Sequence, residues 1–238
     1  MNAKRIPLMF LRWTLVALVL IFGSSSALAQ LTFSGSSGAL SGSVTFDVDA
    51  SGHLTIEFTN TSAMDVTGAA DVLTALFFSV GGNPHLTPVS AHLADGSTVL
   101  TLLRNGTVQV GPDGGGNVGG EWAFRSALSG APWGANYGIG SAGLGFFGEA
   151  NFGGPNLDGP KSVAGPDFGI ASADDIPSTY WGRPTPLIHN SVVFTLALPF
   201  GFTLSDQSIF DVSFQFGTSL SEPNVPASPD NSEPPPPA

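Results

Sequence analysis

The sequence contains no cysteine and few basic residues. Its 238 residues include seven lysines and arginines against 18 aspartates and glutamates. The absence of cysteine excludes disulfide bonds, thiol chemistry, Cys-ligated metals and a cysteine-linked lipid anchor. The scarcity of Lys and Arg argues against nucleic acid or an anionic membrane surface as the main partner, because both require clustered basic side chains.

No apolar run in the sequence is long enough to cross a bilayer as a helix. Residues 14–22 form an apolar run of about nine residues, whereas a transmembrane helix requires roughly 20. Lys4, Arg5 and Arg12 precede this run, and small residues follow it up to Ala29. This order is typical of a secretory signal peptide, so we predict a signal peptide at residues 1–29 and a secreted, extracellular or cell-surface protein. The mature chain then has four basic and 18 acidic residues, a formal net charge of −14.

Apolar and polar residues alternate in several parts of the chain. Residues 43–60, SVTFDVDASGHLTIEFTN, predict a β-hairpin with its turn at residues 50–52. Residues 210–216, FDVSFQF, predict a strand with its phenylalanines and Val212 in the core and with Asp211, Ser213 and Gln215 in solvent. A second hairpin is predicted at residues 100–110, around an Asn-Gly turn.

Two segments are apolar on both faces. DVLTALFFSV at 71–80 and SVVFTLAL at 191–198 predict central strands covered on both sides, with a buried helix as the alternative for the first. We therefore predict an all-β fold, a single antiparallel β-sandwich or jelly-roll-like domain at residues 30–220. The predicted core consists of Val44, Phe46, Ile56, Phe58, Leu76, Phe78, Phe194, Leu196, Phe214 and Phe216.

Glycine and proline set apart the middle and the last part of the chain. Residues 111–190 carry a large share of the 31 glycines and predict a long Gly-rich loop region. Such a region stays ordered only if its aromatic side chains dock onto the sheets, because folding must remove the backbone freedom of glycine. Prolines accumulate after Gly217, so we predict a Pro-rich disordered tail at residues 221–238, a semi-rigid spacer outside the core.

Four segments of the chain, in order, resemble a known family. They are IEFTNTSAMDVTGAADVLTALFFSV, EWAFRSALSGAPWGANYGIGSAGLGFFG, NSVVFTLALPFGF and DVSFQFGTSLSEPN. Together they are similar to the bacterial exosortase-dependent surface proteins, also called PEP-CTERM proteins, over most of residues 31–224. The resemblance implies an exported protein of the cell surface or extracellular matrix with no established enzymatic activity.

The sequence departs from this family after residue 224. Family members end in a Pro-Glu-Pro motif, an apolar transmembrane helix and a cluster of arginines. Here the sequence SEP at 232–234 corresponds at most to a remnant of the first, and no arginine follows Arg183. Two explanations stay open, a released relative that lost its sorting signal or a truncated sequence. In both, the Pro-rich tail is interpreted as the spacer that would hold the domain away from an anchor.

Acidic and histidine side chains offer weak metal candidates. Asp47 and Asp49 share one strand face next to a turn, and the acidic pair at 174–175 has a similar setting. Calcium prefers six to eight oxygen ligands, so we favour the ordinary role of Asp at turns, in contact with solvent. The spacing of the four histidines does not match a zinc site. They are His53, His85, His92 and His189. We predict no metal and no cofactor.

Catalytic motifs are equally weak. Glu121 and Glu149 form a candidate glycosidase pair, which requires carboxyl groups about 5 to 10 Å apart, and the sequence does not define that distance. The chain has no GxSxG motif and no P-loop, and GIG at 138–140 lacks a βαβ setting. We therefore predict that the protein is not an enzyme.

Loop aromatics supply the remaining candidate site. Trp133 and Tyr137 lie in the Gly-rich region, and Tyr180 and Trp181 lie in another loop. Such rings either bind sugar faces or hold loops against a core. We predict a structural or adhesive matrix protein whose partners are extracellular polysaccharide or other matrix components. The alternative is a carbohydrate-binding module that recognises an extracellular polysaccharide through Trp133, Tyr137 and Trp181.

Overall fold

The structure of the protein is a computed structural model that describes residues 30–106, 108–110, 116–149, 152–157, 163, 165–175, 181–205 and 207–230. The predicted signal peptide at residues 1–29 lies outside the described residues, and so do residues 231–238. The described residues form strands and short 3-10 turns, with no α-helix among them. Within these segments, no helix has the length and apolar character needed to span a membrane.

Two β-sheets pack face to face. The strands are β1 (Leu31–Ser37), β2 (Leu40–Val48), β3 (His53–Asn60), β4 (Leu73–Val80), β5 (Thr87–Leu93), β6 (Thr98–Leu102), β7 (Val108–Val110), β8 (Ala123–Ser126), β9 (Tyr137–Gly140), β10 (Ile170–Ala171), β11 (Thr185–His189), β12 (Ser191–Ala197), β13 (Ile209–Phe216), β14 (Asn224–Pro226) and β15 (Ser228–Pro229). The first sheet has the order β15-β1-β2-β3-β12-β5. The second has the order β14-β13-β4-β10-β11-β6-β7, with the β8–β9 hairpin paired to β4. Apart from the parallel pair β10–β11, these strands pair antiparallel, which confirms the predicted all-β sandwich.

A phenylalanine-rich core fills the space between the sheets. Every predicted core residue is fully buried. Phe46 of β2 contacts Phe78 of β4 with ring centroids 5.4 Å apart, and Phe58 of β3 contacts Phe214 of β13 at 5.6 Å. These contacts join the first sheet to the second, so the predicted inward faces are confirmed.

Strand β4 is buried on both faces, as the sequence predicts. Leu76 and Phe78 lie in the core between the sheets, whereas Ala75 and Phe77 pack under the Gly-rich region. The alternative of a buried helix at residues 71–80 is therefore wrong. Strand β12 is also central, between β3 and β5, but its outward side chains, such as Val193, are only half-buried. The prediction that both faces of the strand are covered is thus confirmed for β4 and wrong for β12.

The alternation predicted for β13 holds only in part. Phe210 is 44% exposed, whereas Ser213 and Gln215, predicted to face solvent, are fully buried. The pairing of β13 with β4 shifts between Phe210 and Ser213, and Asp211 there has a φ of 52°. This β-bulge moves Phe210 out of the core face, because an extra residue in one strand reverses side-chain direction. Gln215 is buried because the 217–223 loop folds over it and contacts its side chain.

Aromatic side chains of the Gly-rich region dock onto the sheets. Trp122 is fully buried against Phe194 with ring centroids 5.0 Å apart, and Phe152 contacts the same ring at 5.3 Å. Tyr137 stacks on Phe78 at 5.6 Å. The predicted role of these aromatics in holding the glycine-rich chain against the core is confirmed.

The chain beyond residue 220 differs from the predicted disordered tail. Strand β14 pairs with β13, and Val225 is fully buried in the core. Because β14 is an edge strand, the prolines around it can occupy positions where no N–H group is needed. The N–H group of Ala227 still donates to the carbonyl of Val212 at 2.9 Å. The sandwich therefore includes residues 221–230, and the predicted tail at 231–238 lies outside the described residues.

After β14 the chain crosses from the second sheet to the first. Strand β15 pairs with β1, and the N–H group of Asp230 donates to the carbonyl of Thr32 at 2.8 Å. A Cβ atom at Gly35 would lie 2.4 Å from the carbonyl oxygen of Pro226, so only glycine permits this close approach. The first and last described strands are thus neighbours at one edge of the first sheet.

Candidate functional site

The aromatic residues predicted to bind a glycan have three different environments. Tyr137 is 2% exposed, and its hydroxyl donates to the carbonyl of Pro84 at 2.7 Å. Burial also raises the pKa of Tyr137. Trp133 is 61% exposed, and its indole N–H donates to Oδ1 of Asn224 at 2.8 Å. Of this set, Trp133 alone presents most of its surface to solvent.

Trp181 lies at another part of the second sheet. It packs against a small apolar cluster that includes Val66 and Leu187, and its indole N–H donates to the carbonyl of Thr67 at 3.3 Å. Tyr180 lies outside the described residues. The structure therefore does not assemble Trp133, Tyr137 and Trp181 into one platform, because their partners belong to separate segments and one of the rings is buried.

Asp47 and Asp49 stabilise the turn of the β2–β3 hairpin. Oδ1 of Asp49 accepts hydrogen bonds from the N–H groups of Ser51 and His53 at 2.8 and 2.9 Å, and Asp47 accepts one from Val48 at 2.7 Å. The His53 backbone hydrogen bond lowers the pKa of Asp49. Among the described residues, no group of three or more His, Asp or Glu side chains is arranged to hold a metal ion.

Asp174 and Asp175 have opposite environments. Asp174 is exposed, as expected for a turn, but Asp175 is only 2% exposed. Oδ1 of Asp175 accepts a hydrogen bond from the N–H group of Val66 at 2.9 Å, and its backbone carbonyl lies 2.8 Å from Nε2 of His189. Burial raises the pKa of Asp175, and the neighbouring Asp65 carboxylate raises it further against the lowering effect of the Val66 hydrogen bond. The prediction that Asp175 is an ordinary turn residue in contact with solvent is therefore wrong.

This environment predicts that Asp175 makes the protein less stable as the pH rises. A carboxyl group whose pKa is raised on folding contributes stability below its unfolded pKa of about 3.9, and loses that contribution as the pH rises through the folded pKa. Asp175→Asn stays neutral and keeps an oxygen for Val66. We expect its free energy of unfolding, measured by urea denaturation from pH 4 to pH 8, to fall less with rising pH than that of the parent protein. Asp174→Asn is the control, and equal pH profiles for both variants would contradict the assignment.

The candidate glycosidase pair is not supported by the environment of its members. Glu121 is 2% exposed and accepts a hydrogen bond from the N–H group of Leu157, whereas Glu149 is exposed. A carboxylate engaged in this way holds the Gly-rich chain in place. We therefore assign Glu121 a structural role.

A groove lined by both polar and apolar side chains lies where the β4–β5 connection faces the β8–β9 hairpin. Its deeper part has a volume of about 450 Å³ and is lined by residues 83–85 and 126–128 with Asn136 and Tyr137. A second cleft of about 320 Å³ adjoins it at His85 and Ser126 and continues along residues 86–88 and 124–125. We call these two clefts together the amide groove. Its lining comes from the β4–β5 connection and the start of β5 on one side and from the β8–β9 hairpin on the other.

Local sequence explains how each wall of the groove forms. On one side, Gly82 and Asn83 follow β4 with φ values of 76° and 49°, a left-handed conformation that these two residue types tolerate best. The N–H group of Asn83 donates to the carbonyl of Val80 at 3.0 Å and closes the turn. On the other side, the N–H group of Leu128 donates to the carbonyl of Asn136 at 3.0 Å at the base of the β8–β9 connection.

Two side-chain hydrogen bonds fasten the walls of the amide groove to each other. Nδ2 of Asn136 donates to Oδ1 of Asn83 at 2.9 Å, and the Tyr137 hydroxyl donates to the carbonyl of Pro84 at 2.7 Å. Sequence analysis identified Tyr137 as a glycan contact and His85 as a histidine without zinc-site spacing, but it missed Asn83 and Asn136. The signal available for Asn83 was the sequence GGNP at 81–84 between two predicted strands, since such a turn often carries exposed polar groups.

Comparison with protein-family models, with curated proteins and with solved structures finds no match for the chain.

Proposed function

We propose that this chain is an exported structural or adhesive component of a bacterial cell surface or extracellular matrix. The resemblance to exosortase-dependent surface proteins supports this role, and so does the signal-peptide pattern at residues 1–29. The formal net charge of −14 for the mature chain suits a protein that stays solvated in a crowded exterior.

The observation that carries the proposal is the position of the strands in the first sheet. Strands β1 and β15 lie at one edge, whereas β5, whose residues Thr87 and Pro88 line the amide groove, lies at the other edge. A domain held through its terminal strands thus presents its groove on the opposite edge of the same sheet. This arrangement suits a protein that links a surface or matrix to a second component.

The alternative of a glycan-binding platform made of Trp133, Tyr137 and Trp181 has less support. The buried ring of Tyr137 cannot stack on a sugar without leaving Phe78 and Phe124. Trp133 is exposed, whereas Trp181 is only partly exposed and Tyr137 is buried. Trp133→Ala therefore tests whether a ligand binds at the exposed indole.

Cell fractionation with N-terminal sequencing tests the proposed role. We expect a chain that begins at Gln30, recovered with the cell surface or the matrix and resistant to washing in dilute buffer. Recovery of a chain that still carries residues 1–29 in the membrane would contradict export. A chain that is exported but is washed completely from both cells and matrix would contradict the structural or adhesive role while leaving export intact.

A further inference from the structure

We infer that the amide groove binds a neutral saccharide chain, with the amides of Asn83 and Asn136 as its central contacts. The inference builds on the proposed function, because it names the partner through which the domain would adhere. Its central contacts are Asn83 and Asn136, whereas Tyr137, one of the aromatic residues predicted from the sequence, lines the groove but stacks on the core.

The first step is the hydrogen-bonding capacity of the amide pair. Nδ2 of Asn136 donates a hydrogen bond to Oδ1 of Asn83 at 2.9 Å, and this bond fixes the orientation of both side chains. A primary amide has two donor hydrogens and an oxygen with two acceptor lone pairs. Within the part of the chain that the structure describes, Nδ2 of Asn83 and Oδ1 of Asn136 have no other protein partner, so donors and an acceptor lie side by side. Adjacent sugar hydroxyl groups both donate and accept, which matches this pattern.

The second step is the charge of the lining. Among the described residues, no carboxylate lines either part of the amide groove, and the ionisable groups there are His85, Arg125 and Tyr137. Arg125 already donates through Nε to the carbonyl of Phe146 at 3.2 Å. A metal cation would find no charged ligand, and a phosphate would find one guanidinium. The strongly negative mature chain also repels acidic polysaccharides, so the lining favours a neutral polyhydroxyl ligand.

The third step is the shape of the groove. The clefts of about 450 and 320 Å³ share His85 and Ser126 in their linings and therefore lie side by side. Ligand sites commonly have volumes of about 300 to 1,000 Å³. Two joined clefts suit consecutive rings of a chain better than a single sugar.

The fourth step is rigidity. The Tyr137 ring stacks on Phe78 and Phe124, and the N–H group of Asn136 donates to Oγ of Ser79 at 3.2 Å. The groove is therefore held open by the core and by the strand beneath it. Binding to a preformed site avoids the entropy cost of ordering its side chains, so hydrogen bonds alone can give measurable affinity.

Asn83→Asp is the sharpest test of the groove. Aspartate keeps the oxygen that accepts from Asn136, but it removes both donor hydrogens and adds a negative charge. We expect isothermal titration of the purified exported protein to detect at least one neutral oligosaccharide among glucan, mannan, xylan and galactan fragments. Asn83→Asp should weaken that binding at least tenfold with the melting temperature unchanged. Asn105→Asp, the same substitution in the exposed turn between β6 and β7, should retain it.

Three other outcomes would overturn the inference. The first is that no neutral fragment binds to the parent protein, and the second is that Asn83→Asp binds as tightly as the parent. The third is that Trp133→Ala abolishes binding while Asn83→Asp does not, which would place the site at the exposed indole.

If Asn83→Asp fails to fold, Ser126→Tyr replaces it, because a bulky side chain at this exposed position should block the junction of the two clefts. Binding by the purified protein is independent of its location in the cell, so failure of the fractionation experiment and failure of this one remain distinguishable.

Discussion

Phe214→Ala is expected to lower the free energy of unfolding by about 3–5 kcal/mol, the usual cost of removing a fully buried aromatic ring. Phe214 has no exposed surface and lies in the core between the sheets. Its ring centroid is 5.6 Å from that of Phe58 on the opposite sheet. The substitution therefore removes a contact that joins the two layers and leaves a cavity that the surrounding strands cannot fill.

Phe210→Ala is the matched control for this prediction. It makes the same chemical change in the same strand, but Phe210 is 44% exposed on the far side of the bulge at Asp211. We expect Phe210→Ala to lower the free energy of unfolding by less than about half as much as Phe214→Ala does. The reason is that the Phe210 ring buries less apolar surface on folding. Urea denaturation followed by circular dichroism gives both values. Equal losses would mean that strand β13 is regular and that the bulge is misplaced.

Regular alternation made the β2–β3 hairpin predictable from sequence. Phe46 and Ile56 are directly paired across the two strands, and both face the core. Side chains in a strand alternate with a period of exactly two, so a single correct inward residue determines the direction of its neighbours. The same reasoning identified β4 as a doubly covered strand, since Leu76 and Phe77 are both apolar and point to opposite sides.

Irregular backbone and long-range pairing were not predictable in this way. The bulge at Asp211 interrupts a sequence that alternates without fault, and its signal is a φ of 52° rather than a residue pattern. Proline at 226 and 229 predicts the end of regular structure, but edge strands accept proline where one side of the strand has no partner. Only the neighbouring strands β13 and β1 determine that this segment is ordered.

The candidate site shows the same division. The docking of aromatic side chains from the glycine-rich region was predictable from the sequence, but the exposure of Trp133 was not, because it depends on which surface each ring meets. Asn83 and Asn136 are 53 positions apart and meet only because β9 pairs with β4. Single amides in turns carry no distinctive sequence signal. The amide groove therefore required the structure.

The segment GTSLSEPN at residues 217–224, part of the resemblance to surface proteins, forms a closed loop after β13. The N–H groups of Thr218 and Ser219 donate to the Glu222 carboxylate at 2.6 and 2.8 Å. Gly217 has a φ of 82°, and a Cβ atom there would lie 2.5 Å from that carboxylate. The Glu222 carboxylate can therefore occupy this position only because Gly217 has no Cβ atom. These contacts give the segment a structural role in closing the sandwich.

Gln215 of β13 lies beneath this loop. Its substitution is the second change from which we expect a large loss of stability. Its Nε2 atom lies 2.8–3.2 Å from four backbone carbonyl oxygens, and its Oε1 atom accepts from Nδ2 of Asn224 at 3.2 Å. The side chain is fully buried. The amide nitrogen is the only donor of a glutamine side chain, so the four carbonyls determine the orientation of the Gln215 amide. The four carbonyls belong to Phe216, Ser219, Glu222 and Pro223.

Gln215→Glu should therefore destabilise the protein by about 3–5 kcal/mol at pH 7, the cost of leaving a buried charge without a partner. The new carboxylate would face carbonyl oxygens in place of the amide hydrogens, with almost no change in volume. Burial and these oxygens should raise the pKa of the new carboxyl group, so its folded pKa exceeds its unfolded pKa of about 4.3. The defect should consequently be smallest in acid and should grow as the pH rises through the folded pKa.

Gln207→Glu is the control, because it adds the same charge at an exposed position just before β13. We expect its free energy of unfolding to stay within about 0.5 kcal/mol of the parent value, as for most surface substitutions. Urea denaturation of both variants at pH 4.5 and pH 7 separates a local effect from a general effect of added negative charge. A loss for Gln215→Glu below about 0.5 kcal/mol at both pH values, as for the Gln207 control, would show that the carboxyl group is solvated and that the loop does not close over residue 215. A loss that appears only at pH 7 would show that the four carbonyls require a donor, and hence that the 217–224 segment owes its fold to the one buried amide beneath it.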